Sequence, residues 1–269
     1  MRIGVIGAGA MGEAIVAAVL RAKVTDARSL KVSDSAEARR KYMVETYGVE
    51  ALADNSAAVK ETDLVMLALK PQDFPRAAAE MRGHAGAATV VSIMAGVTIG
   101  QIEREMGTGR IVRSMPNTPA QVGEGMTVWT ATSAVDDEAR ERVRRVLGAM
   151  GKEAYVPEEK YLDMATGLSG SGPAYVFLFL EALTDAGVHI GLSRELAYKM
   201  ALQTVIGSAR YAEVTGKHPA ELRNQVTSPG GTTAEALRAF EAGSFRSDIL
   251  EAVIAAFNKS KALGAGETK

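Results

Sequence analysis

Three glycines near the start of the chain have the spacing of a phosphate-binding turn. Gly7, Gly9 and Gly12 form a G-x-G-x-x-G pattern between an apolar segment ending at Ile6 and an alanine-rich segment beginning at Glu13. In a strand–turn–helix unit the first glycine makes the tight turn, the second leaves room for a pyrophosphate, and the third lets the helix pack closely. The helix N-terminus then holds the phosphates through its N–H groups and partial positive charge. A plain glycine turn has the same residues, but the place directly after a predicted strand favours dinucleotide binding.

An acidic residue follows the second predicted strand where a ribose contact is expected. Leu30–Ser33 is predicted to be that strand, and Asp34 follows it about twenty residues beyond the glycines. Its carboxylate would accept hydrogen bonds from an adenosine 2′-hydroxyl and favour NAD. Arg39, Arg40 and Lys41 are basic enough to meet a 2′-phosphate instead. The alternative role for Asp34 is the N-cap of the next helix. The sequence therefore does not decide whether the cofactor is NAD or NADP.

A loop of small residues in the second half has the composition of an anion site. Ser228–Thr233 carries two glycines and three hydroxyl groups directly before a helix predicted over Ala234–Phe240. Backbone N–H groups and the helix dipole would hold a carboxylate there. A threonine N-cap after a glycine turn explains the same residues equally well.

Polar side chains also follow two other predicted strands. Lys70 and Gln72 come after the apolar run Leu64–Leu69, and Asn117 and Thr118 lie in a turn with two prolines. Ligands of parallel sheets bind at the carboxyl ends of the strands, so these residues are candidates to line a cofactor cleft. An ordinary loop or structural turn is the alternative in both cases.

The remaining reactive residue types form no catalytic cluster. His84, His189 and His218 are scattered, without metal-ligand spacing, and the chain has no cysteine. The sequence therefore predicts no metal site and no disulfide. Hydride transfer from a bound cofactor to an already electrophilic carbon fits a site that has few acid–base groups.

Two kinds of secondary-structure pattern divide the chain. In the first half strands and helices alternate, which predicts a doubly wound α/β domain. Its strands are predicted at residues 3–6, 30–33, 64–69, 88–94, 110–115, 126–130 and 153–156, with Thr98 capping a helix over Ile99–Met106 and another helix over Asp136–Met150. From about Lys160 onward helices dominate, interrupted by Ser169–Pro173.

One helix of the second half is apolar nearly all the way round. Ala174–Ala186 has this pattern, which is typical of a helix buried on every side. A helical segment of about a hundred residues is barely large enough to bury it, so we expect a second copy of the chain to cover it. A central helix in a monomeric bundle is the alternative.

The overall composition restricts partners and location. The 269 residues are 47% hydrophobic and 23% charged, with a net charge of −1, which predicts neither nucleic acid nor an anionic membrane as a partner. The longest apolar run, Ala174–Leu180, is too short to span a membrane. We expect a cytoplasmic protein without a signal peptide, since a core strand begins at Ile3.

Together these motifs resemble the pyrroline-5-carboxylate reductase family over nearly the whole chain. The most specific are the Ser-Pro-Gly-Gly-Thr-Thr loop, the Ser-Gly-Ser-Gly-Pro-Ala-Tyr segment and the Met-Pro-Asn-Thr-Pro turn. The segments that carry the resemblance are Gly7–Gly12, Leu69–Gln72, Met115–Pro119, Leu168–Tyr175, Asp185–Val188 with Gly191-Leu192, and Val226–Thr233.

The resemblance implies an N-terminal Rossmann doubly wound sheet, residues 1–159, and an all-α C-terminal dimerisation and substrate-binding domain, residues 160–269. It implies hydride transfer from NADPH, with NADH as an alternative, to the C5 imine carbon of 1-pyrroline-5-carboxylate, which yields L-proline. It also implies a homo-oligomer, the dimer itself or a decamer of dimers, with each active site shared between two subunits.

The resemblance further implies roles for individual residues. Thr233 would hydrogen-bond the ring nitrogen, either orienting the imine or helping to deliver its proton. The substrate carboxylate would be held by Ser228, Gly230, Gly231, Thr232 and Thr233, and the cofactor by Gly7, Gly9, Ala10, Met11, Gly12, Asp34, Ser35, Ala68, Lys70, Pro71, Asn117 and Thr118.

One departure from the family pattern concerns the cofactor. Many bacterial members carry an Asn-Arg pair after the second strand to hold a 2′-phosphate, whereas this chain has Asp34-Ser35. Asp34 would repel a 2′-phosphate unless Arg39 or Arg40 neutralises it.

Two rival functions have weaker support. A β-hydroxyacid dehydrogenase would need a helical lysine beside a glycine motif, and Lys199 lacks that surrounding pattern. A non-catalytic dinucleotide-binding regulator would have no need of the Ser228–Thr233 loop.

Overall fold

The computed structural model describes residues 1–265 of the chain. They divide into two compact units, one formed by Gly172–Ile254 and the other by the remaining described residues. The boundary predicted between residues 159 and 160 stays a prediction.

The first unit contains an eight-stranded sheet. Its strand order is β3-β2-β1-β4-β5-β6-β7-β8, and β7 runs antiparallel to β6. The strands are β1 (Ile3–Ile6), β2 (Leu30–Ser33), β3 (Glu50–Leu52), β4 (Leu64–Leu67), β5 (Thr89–Ser92), β6 (Ile111–Met115), β7 (Gly125–Ala131) and β8 (Gly151–Tyr155). The parallel order from β3 to β6 confirms the predicted doubly wound class.

Helices cover both faces of this sheet. They are α1 (Ala10–Arg21), α2 (Glu37–Tyr47), α3 (Asn55–Val59), α4 (Phe74–Met81), α5 (Ile99–Met106), α6 (Asp137–Gly148) and α7 (Lys160–Ala165). Successive strand side chains point to opposite faces, so Val5 packs in the core beside α1 and Ile6 in the core beside α4. The central strands are thus buried on both faces, which explains their continuous apolar runs.

The predicted helix starts are partly right. Thr98 caps α5 in a capping box with Gln101, as expected. Asp34 is not the N-cap of α2, because that helix begins later and its N-cap is Ala36. The predicted interruption at Ser169 is also wrong in part, since Thr166–Gly170 forms a π-helical segment that continues from α7.

The second unit is entirely helical. Its elements are α8 (Gly172–His189), α9 (Arg194–Thr215), α10 (Pro219–Gln225), α11 (Thr232–Ala242) and the first half of α12 (Phe245–Gly264). A Cβ added at Gly187 would lie 2.8 Å from the Cβ of Ala197, so α8 and α9 approach closely. None of the helices described in residues 1–265 is long and apolar enough to cross a membrane.

Candidate active site

The carboxyl ends of β1 and β4 lie side by side at the edge of the sheet where a ligand crevice is expected. From these two adjacent strands the chain runs outward in opposite directions, toward β3 on one side and β6 on the other. Such a switch point is where doubly wound sheets bind their ligands. The peptides there are in register, with the Ala68 N–H donating to Ile6 O at 2.8 Å and the Gly7 N–H to Ser33 O at 2.8 Å.

The three fingerprint glycines have three different surroundings. Gly7 has φ +100°, and an added Cβ would lie 2.5 Å from the carbonyl oxygen of Ala68. An added Cβ on Gly12 would lie 1.9 Å from the carbonyl oxygen of Gly7, so only glycine fits this helix–strand contact. Gly9 is exposed, and no atom lies within 4 Å of its added Cβ. Two glycines therefore serve the fold, and the third faces open space that a pyrophosphate can enter.

The N-terminus of α1 is free to bind an anion. Its N-cap is Gly9, which supplies no side chain to the first-turn N–H groups. Ala10 is exposed and Met11 is half-buried, and both lie in this first turn. Uncapped N–H groups together with the helix dipole suit a phosphate.

Asp34 contacts the glycine loop directly. Its Oδ2 accepts the Ala8 N–H at 2.8 Å, and its Oδ1 accepts the Ala36 N–H at 2.8 Å. The carboxylate therefore belongs to the phosphate-binding turn, although it lies 26 residues away in sequence. Ser35 beside it is exposed.

Two arginines of α2 approach the same loops. Arg39 donates from Nε to the Ala8 carbonyl at 2.8 Å and from Nη2 to Glu13 Oε2 at 2.6 Å. Arg40 Nη1 donates to the carbonyl oxygens of Asp34 at 2.8 Å and Ser35 at 2.9 Å. Both guanidinium groups thus lie where a charged adenosine end would approach β2.

Glu13 is the acceptor of a polar cluster with Arg39, Tyr42 and Tyr47. Burial alone would raise the pKa of the Glu13 carboxyl, but hydrogen bonds from Arg39 and both tyrosines hold that pKa below its ordinary value. Burial, and then the hydrogen bond to Glu13, raises the pKa of Tyr47 to about 12. The cluster therefore favours the ionised form of Glu13 and the protonated form of Tyr47.

The other predicted cofactor residues are arranged along the same edge. Ala68 is half-buried at the end of β4, and Lys70 and Pro71 are exposed in the turn that follows. The β4 strand ends at Leu67, two residues earlier than predicted. Thr118 is exposed after β6.

Asn117 has both ends of its amide bonded within the protein. Its Oδ1 accepts the Met126 N–H at 2.9 Å, and its Nδ2 donates to the Ser169 carbonyl at 3.0 Å. Nearby, an added Cβ on Gly170 would lie 2.8 Å from Cε of Met115. Asn117 thus fastens the turn after β6 to the π-helical segment, a role that its position after a strand does not reveal.

The Ser228–Thr233 loop of the second unit leads into an uncapped helix. Gly230 has φ +66°, and the Gly231 N–H donates to Ser228 O at 3.0 Å, which closes the turn. The N-cap of α11 is Gly231 and has no side-chain cap bond. The alternative of a threonine N-cap is therefore wrong, since Thr232 and Thr233 lie within the first helical turn and leave its N–H groups for a ligand.

The helices of the second unit carry an apolar surface. Phe177 and Leu178 of α8 are 61% and 67% exposed. Beside them an apolar groove of about 700 Å³ is lined by residues of α8, α9, α11 and α12, among them Phe179, Phe240 and Phe245. Among residues 172–254 the buried side chains are few, namely Leu180, Thr184, Ala197 and Ala201.

Comparison with known proteins finds matches for both halves of the chain. Residues 159–263 match the family described as pyrroline-5-carboxylate reductase dimerisation, and residues 2–96 match NADP oxidoreductase, coenzyme F420-dependent. Pyrroline-5-carboxylate reductase of Synechocystis sp. is 42% identical over 98% of both chains. That of Escherichia coli K12 is 38% identical over 97% of this chain and 98% of its own.

The chain belongs to the pyrroline-5-carboxylate reductase family. It is accordingly an oxidoreductase.

Solved structures of the family have the same fold. A Plasmodium falciparum pyrroline carboxylate reductase with NADP bound has a TM-score of 0.89 at 32% identity and covers 98% of both chains. A Coxiella burnetii pyrroline-5-carboxylate reductase has a TM-score of 0.90 at 35% identity, covering 97% of this chain and 98% of its own. The expected Rossmann sheet with an all-α C-terminal dimerisation domain is thereby confirmed.

Some members of the site escape sequence reasoning. Glu13 had no assigned role, and a glutamate in a first helical turn gives no signal of one, since acids are favourable there. Asn55 was also missed; its Oδ1 accepts the Ser33 hydroxyl at 2.6 Å at the same sheet edge. No group of side chains suited to hold a metal occurs in residues 1–265.

Proposed function

We propose that this protein reduces 1-pyrroline-5-carboxylate to L-proline, with NADPH as its preferred reductant and NADH as a slower alternative. The observation that carries the proposal is a pair of uncapped helix N-termini, each preceded by a glycine turn. The first, at α1, suits a pyrophosphate, and the second, at α11, suits a carboxylate. A dinucleotide and a small amino acid precursor each require one such site.

The residues present fit a nicotinamide dinucleotide. Gly9 leaves space for the pyrophosphate, the first-turn N–H groups of Ala10 and Met11 would hold it, and the crevice at Ala68 would receive the rest of the cofactor. When bound, the reduced nicotinamide supplies a hydride. Lys70, Pro71 and Thr118 would line its pocket, whereas Asn117 would shape the pocket through the turn that it fastens.

The substrate end requires only binding and one hydroxyl. The first-turn N–H groups of α11, together with Ser228 and Gly230, would hold the carboxylate and so orient the ring. The hydroxyl of Thr233 would donate a hydrogen bond to the imine nitrogen, which makes the imine carbon more electrophilic. The imine carbon would accept the hydride and the nitrogen a proton from solvent, so that the C=N double bond becomes a single bond.

NADPH preference rests on the charges beside β2. Asp34 is occupied by the N–H groups of Ala8 and Ala36, which disperse its negative charge. Arg40 adds a positive charge to the same corner, whereas the charge of Arg39 is already paired with Glu13. A 2′-phosphate would therefore be attracted more than Asp34 repels it.

The protein would work as a homodimer formed through the helical unit. The exposed apolar residues of α8 and the neighbouring apolar groove form the kind of surface that marks a protein–protein interface. We also propose that the dimers assemble further into a decamer of dimers and that the protein is cytoplasmic. Sedimentation of the Phe177→Glu variant tests the dimer, because a charge at that face should produce monomers.

The catalytic test follows loss of reduced-nicotinamide absorbance with pyrroline-5-carboxylate, using NADPH and NADH in parallel. We expect turnover with both and a higher kcat/KM with NADPH. Thr233→Ala should lower kcat about tenfold to a hundredfold, which corresponds to one hydrogen bond to a charged group, and Thr233→Ser should recover most of it. Thr204→Ala is the matched control, because its hydroxyl only bonds the Met200 carbonyl on α9.

Two results would contradict parts of this proposal, the reaction in one case and the role of Thr233 in the other. Tight dinucleotide binding without turnover would favour a non-catalytic dinucleotide-binding regulator. Unchanged kcat in Thr233→Ala would remove the role of that hydroxyl while leaving the reaction in place.

A further inference from the structure

The Ala8 peptide of the glycine loop is held at both ends by side chains. Asp34 accepts its N–H at 2.8 Å, and Arg39 Nε donates to its carbonyl at 2.8 Å. Ala8 lies between Gly7 and Gly9. Because glycines on both sides make this segment intrinsically flexible, these two side-chain contacts restrict the orientation of the loop.

Arg39 is itself fixed by a second set of contacts. Its Nη2 donates to Glu13 Oε2 at 2.6 Å, and its guanidinium lies 4.9 Å from the centre of the Tyr42 ring. Tyr42 and Tyr47 donate to Glu13 Oε1 at 2.9 and 3.0 Å. Glu13 lies in the first turn of α1, so a ring of contacts runs from Ala8 through Arg39 to Glu13 and closes across the phosphate-binding turn.

Charge balance supports the same arrangement. A carboxylate in the first turn of α1 would repel an incoming pyrophosphate unless a cation neutralised it. Arg39 provides that cation, and the side chains of Arg39 and Glu13 are only 35% and 24% exposed, so the pair is less screened than a surface pair.

We propose that Glu13 and Arg39 form a clamp that holds the phosphate-binding loop in its ligand-ready conformation, and that both act as positioning residues for dinucleotide binding. This inference rests on the proposed use of a nicotinamide dinucleotide. The clamp acts on the part of the cofactor that NADP and NAD share, so its loss weakens both by the same factor. A direct contact of Arg39 with a 2′-phosphate would instead weaken NADP alone.

Titration calorimetry with NADP⁺ and NAD⁺ on the full-length protein tests the clamp without substrate or turnover. Arg39→Lys keeps the charge but replaces the planar guanidinium, whose Nε and Nη2 bond two separate acceptors, by a single ammonium nitrogen. Glu13→Gln keeps the shape but loses the ion pair. We expect each variant to raise both dissociation constants about fivefold to tenfold, since a charge-assisted hydrogen bond is partly screened at this exposure.

The exposed pair on α2 provides a matched control. Glu45→Gln removes the same charge from a carboxylate whose contact with Lys41 is solvent-exposed, and both dissociation constants should stay within about twofold. Tyr47→Phe removes one donor to Glu13 and should weaken both cofactors slightly. Circular dichroism confirms that each variant is folded.

The outcomes separate this inference from the proposed function. Unchanged dissociation constants for both dinucleotides in Arg39→Lys and Glu13→Gln overturn the clamp, and so does a loss confined to NADP⁺, which assigns Arg39 to the 2′-phosphate. Wild-type protein that binds neither dinucleotide contradicts the proposed function itself.

Discussion

Replacing Gly9 by alanine should impair the cofactor site without affecting the fold. An added Cβ at Gly9 meets no atom within 4 Å, and the backbone there is extended, with φ −68° and ψ −175°. Alanine is therefore compatible with the loop, and the loss of N-cap quality should cost less than about 1 kcal/mol. The methyl group does, however, enter the space left for the pyrophosphate, so we expect at least tenfold weaker NADP⁺ binding, about 1.4 kcal/mol.

The same substitution at Gly12 should have the opposite pattern. Its Cβ would lie 1.9 Å from the carbonyl oxygen of Gly7, so strand or helix must shift. Overpacking of this kind costs about 1–3 kcal/mol, and each kcal/mol lowers Tm by about 2–4 °C in a chain of this size. We therefore expect Gly12→Ala to lower Tm by roughly 2–12 °C.

Thermal unfolding and NADP⁺ titration of both variants provide the assay. Gly100→Ala in α5 is the control, because that glycine is exposed and also has no neighbour within 4 Å. It should keep both Tm and affinity. If Gly9→Ala bound NADP⁺ as well as the wild type does, the open space at Gly9 would not be the pyrophosphate site, and the assignment of the glycines would be refuted.

Three further substitutions test other parts of the first unit. Arg113 is 4% exposed and bonds Glu159 at 2.7 Å. Arg113→Met should therefore lower the free energy of unfolding in urea by about 2 kcal/mol, which is less than the loss of a fully buried pair because the carboxylates are partly exposed. An unchanged free energy of unfolding would mean that the pair is energetically neutral. Asn117→Ala leaves the Met126 N–H and the Ser169 carbonyl without their partner and should cost about 2 kcal/mol by the same measurement, whereas wild-type stability would show that water replaces the amide. Tyr47 has its pKa raised to about 12, so its contribution to stability is complete below about pH 10 and is lost as pH rises through about 12. Over that range the free energy of unfolding of Tyr47→Phe should accordingly fall less than that of the wild type. The same dependence of unfolding free energy on pH in both proteins would contradict the raised pKa of Tyr47.

Local patterns in the chain predict most of the first unit. The strands from β1 to β8 that carry apolar runs were found close to their observed bounds, and so was the capped start of α5 at Thr98. Glu50–Leu52 was missed, because a three-residue edge strand of half-exposed residues has no apolar run to detect. The N-cap of α2, Ala36, was also missed, because Asp34, the expected cap, accepts the N–H of Ala8 in the glycine loop.

The candidate site was predicted as a set of residues but not as a set of contacts. Asp34 was expected at a ribose, and the structure places it on the Ala8 N–H. Arg39 was expected near a phosphate, and it contacts Glu13 and the Ala8 carbonyl. Asn117 was expected to line a cofactor pocket, which stays a prediction, and the structure adds that its amide joins two backbone segments.

The sequence by itself determined the features that depend on near neighbours. Apolar runs decide the strands, a threonine before a helix decides its cap, and glycine spacing decides the shape of the phosphate-binding turn. These depend on residues within a few positions of each other, so their physical causes are present in any short stretch of the chain.

Only the tertiary structure decided which polar groups meet. The bonds from Ala8 to Asp34 and from Asn117 to Ser169 join residues 26 and 52 positions apart. Such pairs form because the order of strands in the sheet brings their ends to one edge, and buried polar groups there must find partners. Tertiary packing likewise determined which face of α8 is exposed in the single chain. Its apolar pattern predicts that the helix is buried, but it does not identify the surface that covers it.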